Sequence, residues 1–233
     1  MNEYILECRY LTKVYQQTPV FHNLSFALRR GRIVGLLGPN GSGKTTLIKL
    51  AAGLLKPTMG DLLVDGMPIG PETKAIVSYL PDRNALPPKD TVSELCQLYE
   101  TMFSDFDVQR ALMLLNDLGI DLSAKLSQLS KGNKEKVQLI LTMSRRAKLY
   151  LLDEPIAGVD PATRDYILET ILGNYAEDAT ILISTHLIAD VEKVLDDFIF
   201  LKNGVITRYG DAKEFCENEG ITLDEAFRRD FKC

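Results

Sequence analysis

Gly38-Pro39-Asn40-Gly41-Ser42-Gly43-Lys44-Thr45 is the stretch that decides how this chain is read. It fits the spacing G-x-x-x-x-G-K-[ST]. A compact apolar run, Ile33 to Leu37, stands before it, and a helically spaced run, Thr45 to Leu55, follows it. Strand, glycine-rich loop and helix in that order open an α/β unit. The glycines allow backbone N–H groups to turn inward around phosphate oxygens, and the helix start adds about half a positive charge there. Lys44 has the length to reach β- and γ-phosphates, the Thr45 hydroxyl suits Mg²⁺, and Thr46 offers a further phosphate contact. A ligand-free turn does not account for a match at every fixed position of the pattern in the right context.

Working outward, a second stretch belongs with the first. Leu149-Tyr150-Leu151-Leu152-Asp153-Glu154-Pro155 is a buried-strand pattern that ends in two acids. Open α/β sheets bind ligands at the C-terminal ends of their strands. Asp153 is therefore expected to hold Mg²⁺ through water, and Glu154 to act as general base for the attacking water. Taken alone, the pair could merely cap a turn before Pro155; the phosphate loop favours the chemical reading.

The remaining chain divides by pattern. Ile5 to Tyr10 and Val20 to Leu28 read as strands, as do Asp61 to Val64 and Ala75 to Leu80. Pro81 to Pro88 marks a composition break. Thr91-Val92-Ser93-Glu94 is a capping box, and the pattern stays helical to about Leu126. Strand signals return at Leu149 and at Thr180 to Ser184. Asp160-Pro161 reads as a helix start, Lys202-Asn203-Gly204 as a hairpin turn, and Thr222 to Glu225 as a second capping box. Tyr99, Met102, Phe103 and Phe106 have roughly helical spacing, which suits a local core or a groove for a partner helix. Arg228, Arg229, Asp230 and Lys232 read as a solvated chain end.

Composition narrows the class. The chain has 233 residues, a formal net charge of −5, 45% hydrophobic and 25% charged residues. Those values exclude a disordered, collagenous or disulfide-scaffold chain. The acidic balance argues against a partner held by phosphate neutralisation along nucleic acid. The cysteines, Cys8, Cys96, Cys216 and Cys233, have no metal-ligand spacing and read as reduced thiols of a cytosolic protein. No apolar run reaches the roughly 18–20 residues of a membrane span, and no signal peptide is visible at Met1 to Tyr4.

From about Leu6 to Gly210 the sequence resembles the ATPase subunit of an ATP-binding cassette (ABC) transporter. In texture it is similar to bacterial antibiotic- and multidrug-export-type cassettes. The resemblance rests on the P-loop (Walker A), on Leu149–Glu154, and on further motifs in the family's order. It implies an aromatic contact of Tyr15 with adenine; a strand aromatic in a core is the alternative. Leu129-Ser130-Lys131-Gly132-Asn133 matches the family's LSGGQ signature, and implies that Ser130 and Gly132 face the γ-phosphate held by a second subunit. Ala157-Gly158-Val159-Asp160 resembles the loop at the dimer seam. His186 resembles the switch histidine on the γ-phosphate, although a lone histidine after a strand is more often structural.

Three departures stand against the family pattern. Lys131 replaces the first signature glycine and Asn133 its glutamine. Asp82 stands where the family has a glutamine that contacts Mg²⁺ and the attacking water. A carboxylate about 4 Å from a phosphate charge costs on the order of 4 kcal/mol at an effective dielectric near 20. Asp82 must face the metal, pair with Arg83 or a lysine, or point away. The apolar contact motif of some exporters is not evident in Asp121 to Gln128. Asn133-Lys134-Glu135-Lys136 faintly matches the guanine-reading N-K-x-D, but its last residue is lysine and it overlaps the signature.

The resemblance implies an α/β fold: a P-loop NTPase core with an N-terminal antiparallel β subdomain and an inserted all-helical subdomain. It implies one ABC ATPase domain over 1–233, with the core at about 1–82 and 146–233 and the helical subdomain at about 83–145. It implies the cofactors ATP and Mg²⁺, with Lys44, Glu154 and His186 catalytic and Thr45, Asp153 and Asp82 at the metal. Nucleotide contacts fall to Tyr15, Gly38 through Thr46, Ser130 and Gly132. The partners implied are transmembrane permease subunits and a second ABC ATPase subunit, head to tail; no nucleic acid is expected. The chain is then cytoplasmic, peripheral on the inner face of the cell membrane through the permease. Export is favoured by the lysine-bearing signature and by the lack of an appended regulatory domain after the last helix. Alternatives are an importer subunit, a non-transport cassette ATPase, or a nucleotide-binding regulator that does not turn over. The span from Lys44 to Asp153 leaves no room for the long coiled coil of DNA-repair members, and only one cassette is present.

Overall fold

The computed structural model describes residues 2–173, 175 and 178–231. Met1, Lys232 and Cys233, read above as parts of the chain ends and as a thiol, lie outside the described residues. The chain opens with β1 (Tyr4–Tyr15), β2 (Thr18–Arg29) and β3 (Ile33–Leu37), then α1 (Lys44–Ala51). β4 (Met59–Val64), β5 (Met67–Pro68), α2 (Pro71–Ala75) and β6 (Val77–Leu80) follow. Three helices come next: α3 (Val92–Met102), α4 (Val108–Asp117) and α5 (Lys131–Met143). Then come β7 (Leu149–Asp153), α6 (Pro161–Gly173), β8 (Thr180–Thr185) and α7 (Ile188–Val191). The chain closes with β9 (Asp197–Lys202), β10 (Val205–Asp211), α8 (Ala212–Glu219) and α9 (Leu223–Asp230).

Two sheets result, in the order β2-β1-β4-β5 and β10-β9-β3-β8-β7-β6. The first is antiparallel throughout. In the second, β9, β3, β8, β7 and β6 run parallel, and β10 is antiparallel at the edge. This is the α/β class expected, with an antiparallel sheet formed from the N-terminal third. Every residue of β3, β7 and β8 is buried. Strands covered on both faces read as unbroken apolar runs rather than alternations.

Adjacent residues of these strands serve opposite faces. Leu151 joins Leu6, Phe21 and Ile48 in a cluster toward the antiparallel sheet and α1. Leu152 joins Ile183, Ile167 and Phe200 on the other face. A third cluster, with Leu95, Leu115 and Ile140, lies among α3, α4 and α5. Tyr99 contacts the rings of Phe103 and Phe106 within it, at centroid distances of 5.5 and 5.6 Å. Met102 instead faces solvent beside the half-buried helix.

Arg145 ties these helices to the sheet edge. Its guanidinium, 3% exposed, pairs with both oxygens of Asp105 and donates to the carbonyls of Val77 and Ala75. It also stacks on the Phe103 ring at 4.0 Å.

Local chemistry sets the helix starts. Thr91 and Glu94 form a reciprocal cap on α3, and Thr222 and Glu225 do the same on α9. One expectation fails: Ala75 to Leu80 is not all strand. Pro71 opens α2, where the Gly70 N–H donates to the Thr73 hydroxyl at 2.9 Å, so helix persists to Ala75 and the strand starts at Val77. Arg228 and Arg229 are exposed as expected, but both are held in ion pairs, to Asp224 and to Glu219. Among the described residues, Cys8, Cys96 and Cys216 are free thiols.

Candidate functional site

The parallel register brings three strand ends together. Leu37 pairs with Thr185, and Asp153 with Ser184. The loop after β3, the acids at the end of β7 and His186 after β8 therefore emerge at one edge. This is the C-terminal edge where open α/β sheets bind ligands.

The loop is shaped for backbone contact. A Cβ on Gly38 would lie 2.3 Å from the Leu201 carbonyl oxygen, and one on Gly43 would lie 2.6 Å from the Phe21 ring. Gly43 also has φ near 109°, which excludes other residues without strain. It begins α1 without a side-chain cap. First-turn N–H groups of an uncapped helix are open to an anion. A groove at this point is lined by Asn40, Gly41, Gly43, Lys44, Thr45 and Thr46, together with Asp82, Glu154 and Val20. Gly38, Pro39 and Ser42 back the loop; Ser42 is buried, with its Oγ unpartnered.

Asp153 lies beneath the groove and is fully buried. Its Oδ1 accepts from the Ser184 hydroxyl at 2.7 Å and the Thr45 hydroxyl at 3.1 Å. Its Oδ2 has no partner. Burial holds its pKa above the ordinary carboxylate range, against those two hydrogen bonds; the nearby Asp82 and Glu154 charges push the same way as burial.

Glu154 forms the centre of a charged chain. Its Oε1 lies 3.0 Å from Lys44 Nζ, and its Oε2 lies 3.0 Å from His186 Nδ1. Lys44, 5% exposed, also donates to the carbonyls of Gly38 at 2.7 Å and Pro39 at 3.3 Å. Glu154 has φ near 49°, a left-handed backbone that costs about 1–2 kcal/mol in a non-glycine residue. The Glu154 N–H donates to both the carbonyl and the Oγ of Ser184 at 3.0 Å, and so holds that geometry.

Ser184 thus supports both acids, yet the sequence reading gave it no role. The available signal was a polar residue closing the apolar run Ile181–Ile183. Tyr79 on β6 was likewise passed over. Its Oη is buried without a partner, and burial, with Asp153 and Asp82, pushes its pKa up.

The group fits Mg²⁺. The unpartnered Asp153 Oδ2, the Thr45 hydroxyl bonded to the same carboxylate, and Asp82 on the groove wall are hard oxygen donors. Among the described residues no cluster of three His, Cys, Asp or Glu could hold a metal ion alone. Mg²⁺ is commonly bound through one or two carboxylates, with waters and phosphates completing its shell. Asp82 faces the groove and also stands 3.9 Å from the Arg83 Nε.

Three expected contact residues lie elsewhere. Ser130 caps α5, accepting from the Asn133 N–H at 3.2 Å, and Gly132 has open space around it. Neither lines the groove at the P-loop. Lys131 donates to the Gly158 carbonyl at 3.4 Å and approaches Glu135 at 3.8 Å. It lines a second groove that leads to Asp82 and Glu154. Tyr15 stands exposed at the end of β1 under Lys13, whose Nζ is 4.9 Å from the ring centroid. No described helix is long and apolar enough to cross a membrane.

Comparisons with known proteins identify the family. Residues 21–157 match the family described as "ABC transporter". The chain is 34% identical, over 97% of its length and 78% of the relative's, to "ABC transporter ATP-binding protein YtrB" of Bacillus subtilis (strain 168). It is 32% identical to the "SkfA peptide export ATP-binding protein SkfE" of the same organism, over 86% of each chain. A solved "Structure of ATP binding subunit of ABC transporter" is similar at a TM-score of 0.87 and 31% identity, over 97% of this chain and 98% of that one.

Proposed function

The chain belongs to the ABC transporter family as an ATP-binding ATPase subunit, and on that premise we propose that it powers export of a solute through separate membrane-spanning subunits. The observation that carries this reading is the meeting of Lys44, Thr45, Asp153 and Glu154 at the ends of β3 and β7. Export is supported by the peptide-export relative and by the lysine in the signature.

The chemistry needs positioning and electrostatics rather than a covalent intermediate. Backbone N–H groups of Asn40, Gly41, Gly43, Lys44, Thr45 and Thr46, which line the groove, cradle the phosphates, and Lys44 exchanges Glu154 for phosphate oxygens. Glu154 accepts a proton from the attacking water as the water oxygen bonds to the γ-phosphorus and the bond to ADP breaks. His186 orients Glu154 and reaches the γ-phosphate side. Mg²⁺, held by Thr45, Asp153 and Asp82, would supply charge neutralisation between the phosphates. Tyr15 supports the adenine.

Ser130 and Gly132 serve the ATP of a second cassette, with Ala157–Asp160 at the seam. On this reading the chain is one ABC ATPase domain, with a core of about 1–82 and 146–233 and a helical subdomain of about 83–145. It works on the inner face of the cell membrane, bound to a permease.

The test is isolation of the tagged chain from detergent-solubilised membranes. Stoichiometric recovery with a polytopic membrane protein is expected. Recovery with ribosomes or nucleic acid instead would overturn the transport reading.

A further inference from the structure

Two oxygen atoms beside the groove are buried without a hydrogen-bond partner: Tyr79 Oη and Asp153 Oδ2. They sit on neighbouring parallel strands. Tyr79 pairs with Leu151, and Asp153 lies two residues further along β7, on the same face of the sheet. With strands about 4.8 Å apart and a rise of about 3.3 Å per residue, such diagonal neighbours lie about 8 Å apart, within reach of a long aromatic side chain. Both Asp153 and Asp82 act electrostatically on the Tyr79 hydroxyl. The ring itself packs against the apolar cluster below α1. A phenylalanine would fill that space equally well, so packing does not account for the oxygen. Toward an ionised carboxylate, or a water held by one, a phenol hydroxyl acts as donor.

We propose that Tyr79 is a positioning residue of the cation site, whose hydroxyl would donate to a water beside Asp153 and Asp82 when the ion is held there. This rests on the reading of Thr45, Asp153 and Asp82 as the Mg²⁺ holders. A partner behind the metal's own ligands fixes their orientation and commonly changes metal affinity about 10–100-fold when removed. Asp82 stands on the loop directly after β6, so one strand delivers both groups to the ion.

The test uses the full chain and Tyr79→Phe. Three quantities are measured: the Mg²⁺ concentration that half-saturates binding of a fluorescent ATP analogue, the analogue's affinity in EDTA, and the thermal midpoint without ligand. The expected result is an increase of about tenfold or more in the Mg²⁺ requirement. Affinity in EDTA stays unchanged, and the thermal midpoint is equal or higher, because an unpartnered buried hydroxyl is removed. In an Asp153→Asn background the same change adds nothing, because the two groups act on one site. A Mg²⁺ requirement equal to the wild type's overturns the role of Tyr79. So does a lowered thermal midpoint with no change in Mg²⁺ dependence, which would make the hydroxyl structural. Wild-type binding indifferent to Mg²⁺ overturns the cation site itself, and Tyr79's part with it.

Discussion

Lys44 Nζ lies 3.0 Å from Glu154 Oε1, so the lysine of the phosphate loop and the candidate base neutralise each other. A triphosphate in the loop competes with Glu154 for that lysine. Engagement of Lys44 by phosphate therefore frees Glu154 to take a proton. The two residues are one exchange rather than two independent contacts.

Glu154→Gln should accordingly lower ATP turnover by at least about 100-fold, without weakening ATP binding. Lys44→Ala should remove ATP binding altogether. Phosphate release and equilibrium binding measured side by side separate the two. Near-normal turnover in Glu154→Gln would remove Glu154 from the role of base.

Asp153 carries a stability cost that its proposed function explains. Burial raises its pKa, so the folded chain binds this proton more readily than the unfolded chain. That favours the fold at acid pH and is lost as pH rises through the native pKa. At pH 7, with no Mg²⁺ or nucleotide added, Asp153→Asn should melt at an equal or higher temperature than the wild type. The Asn oxygen can keep the bonds from Ser184 and Thr45. The gap should close toward pH 4, near the ordinary carboxylate value of about 3.9. Mg²⁺-dependent nucleotide binding should fall in the same variant. A variant several degrees less stable at pH 7 would contradict the sign.

Two glycines should behave oppositely. At Gly43 a Cβ meets the Phe21 ring at 2.6 Å with φ near 109°. Gly43→Ala should cost about 1–3 kcal/mol in denaturant unfolding. Gly132 lies in the first turn of α5 with nothing within 4 Å of its Cβ position. Gly132→Ala should leave stability equal or slightly raised, while lowering ATP turnover by crowding the phosphate of a second cassette. Loss of stability at Gly132, or full turnover, would count against that assignment.

Arg145 is the joint between the helices and β6. Its pair with Asp105 is largely buried on the arginine side. Arg145→Ala would leave Asp105 unpaired and free two carbonyls. A loss of about 3–5 kcal/mol in unfolding free energy is expected. A change near zero would show that the helices are held by apolar packing alone.

The motif residues were legible because each motif is local: a glycine-rich loop between strand and helix, two acids closing an apolar strand, capping boxes whose partners stand three residues apart. Buried parallel strands also announce themselves as apolar runs, as β3 and β7 do. What stayed hidden depends on strand pairing. Ser184 supports Asp153 because β7 and β8 run in register, and Tyr79 approaches Asp153 diagonally across β6 and β7. Periodicity carries no record of which strand lies beside which. Arg145 was hidden for the same reason, since its partners Asp105, Val77 and Ala75 are remote in sequence. Ala75 was misread as strand because α2 is too short to show a helical period and its last residue adjoins the apolar run of β6.

The most direct measurement is the solution mass of the Glu154→Gln variant by analytical ultracentrifugation, with and without Mg-ATP. The account predicts a mass that doubles with Mg-ATP, as two cassettes close on nucleotide they cannot hydrolyse, and returns to the monomer value when nucleotide is removed. A chain that stays monomeric and binds no ATP would contradict the reading at its phosphate loop.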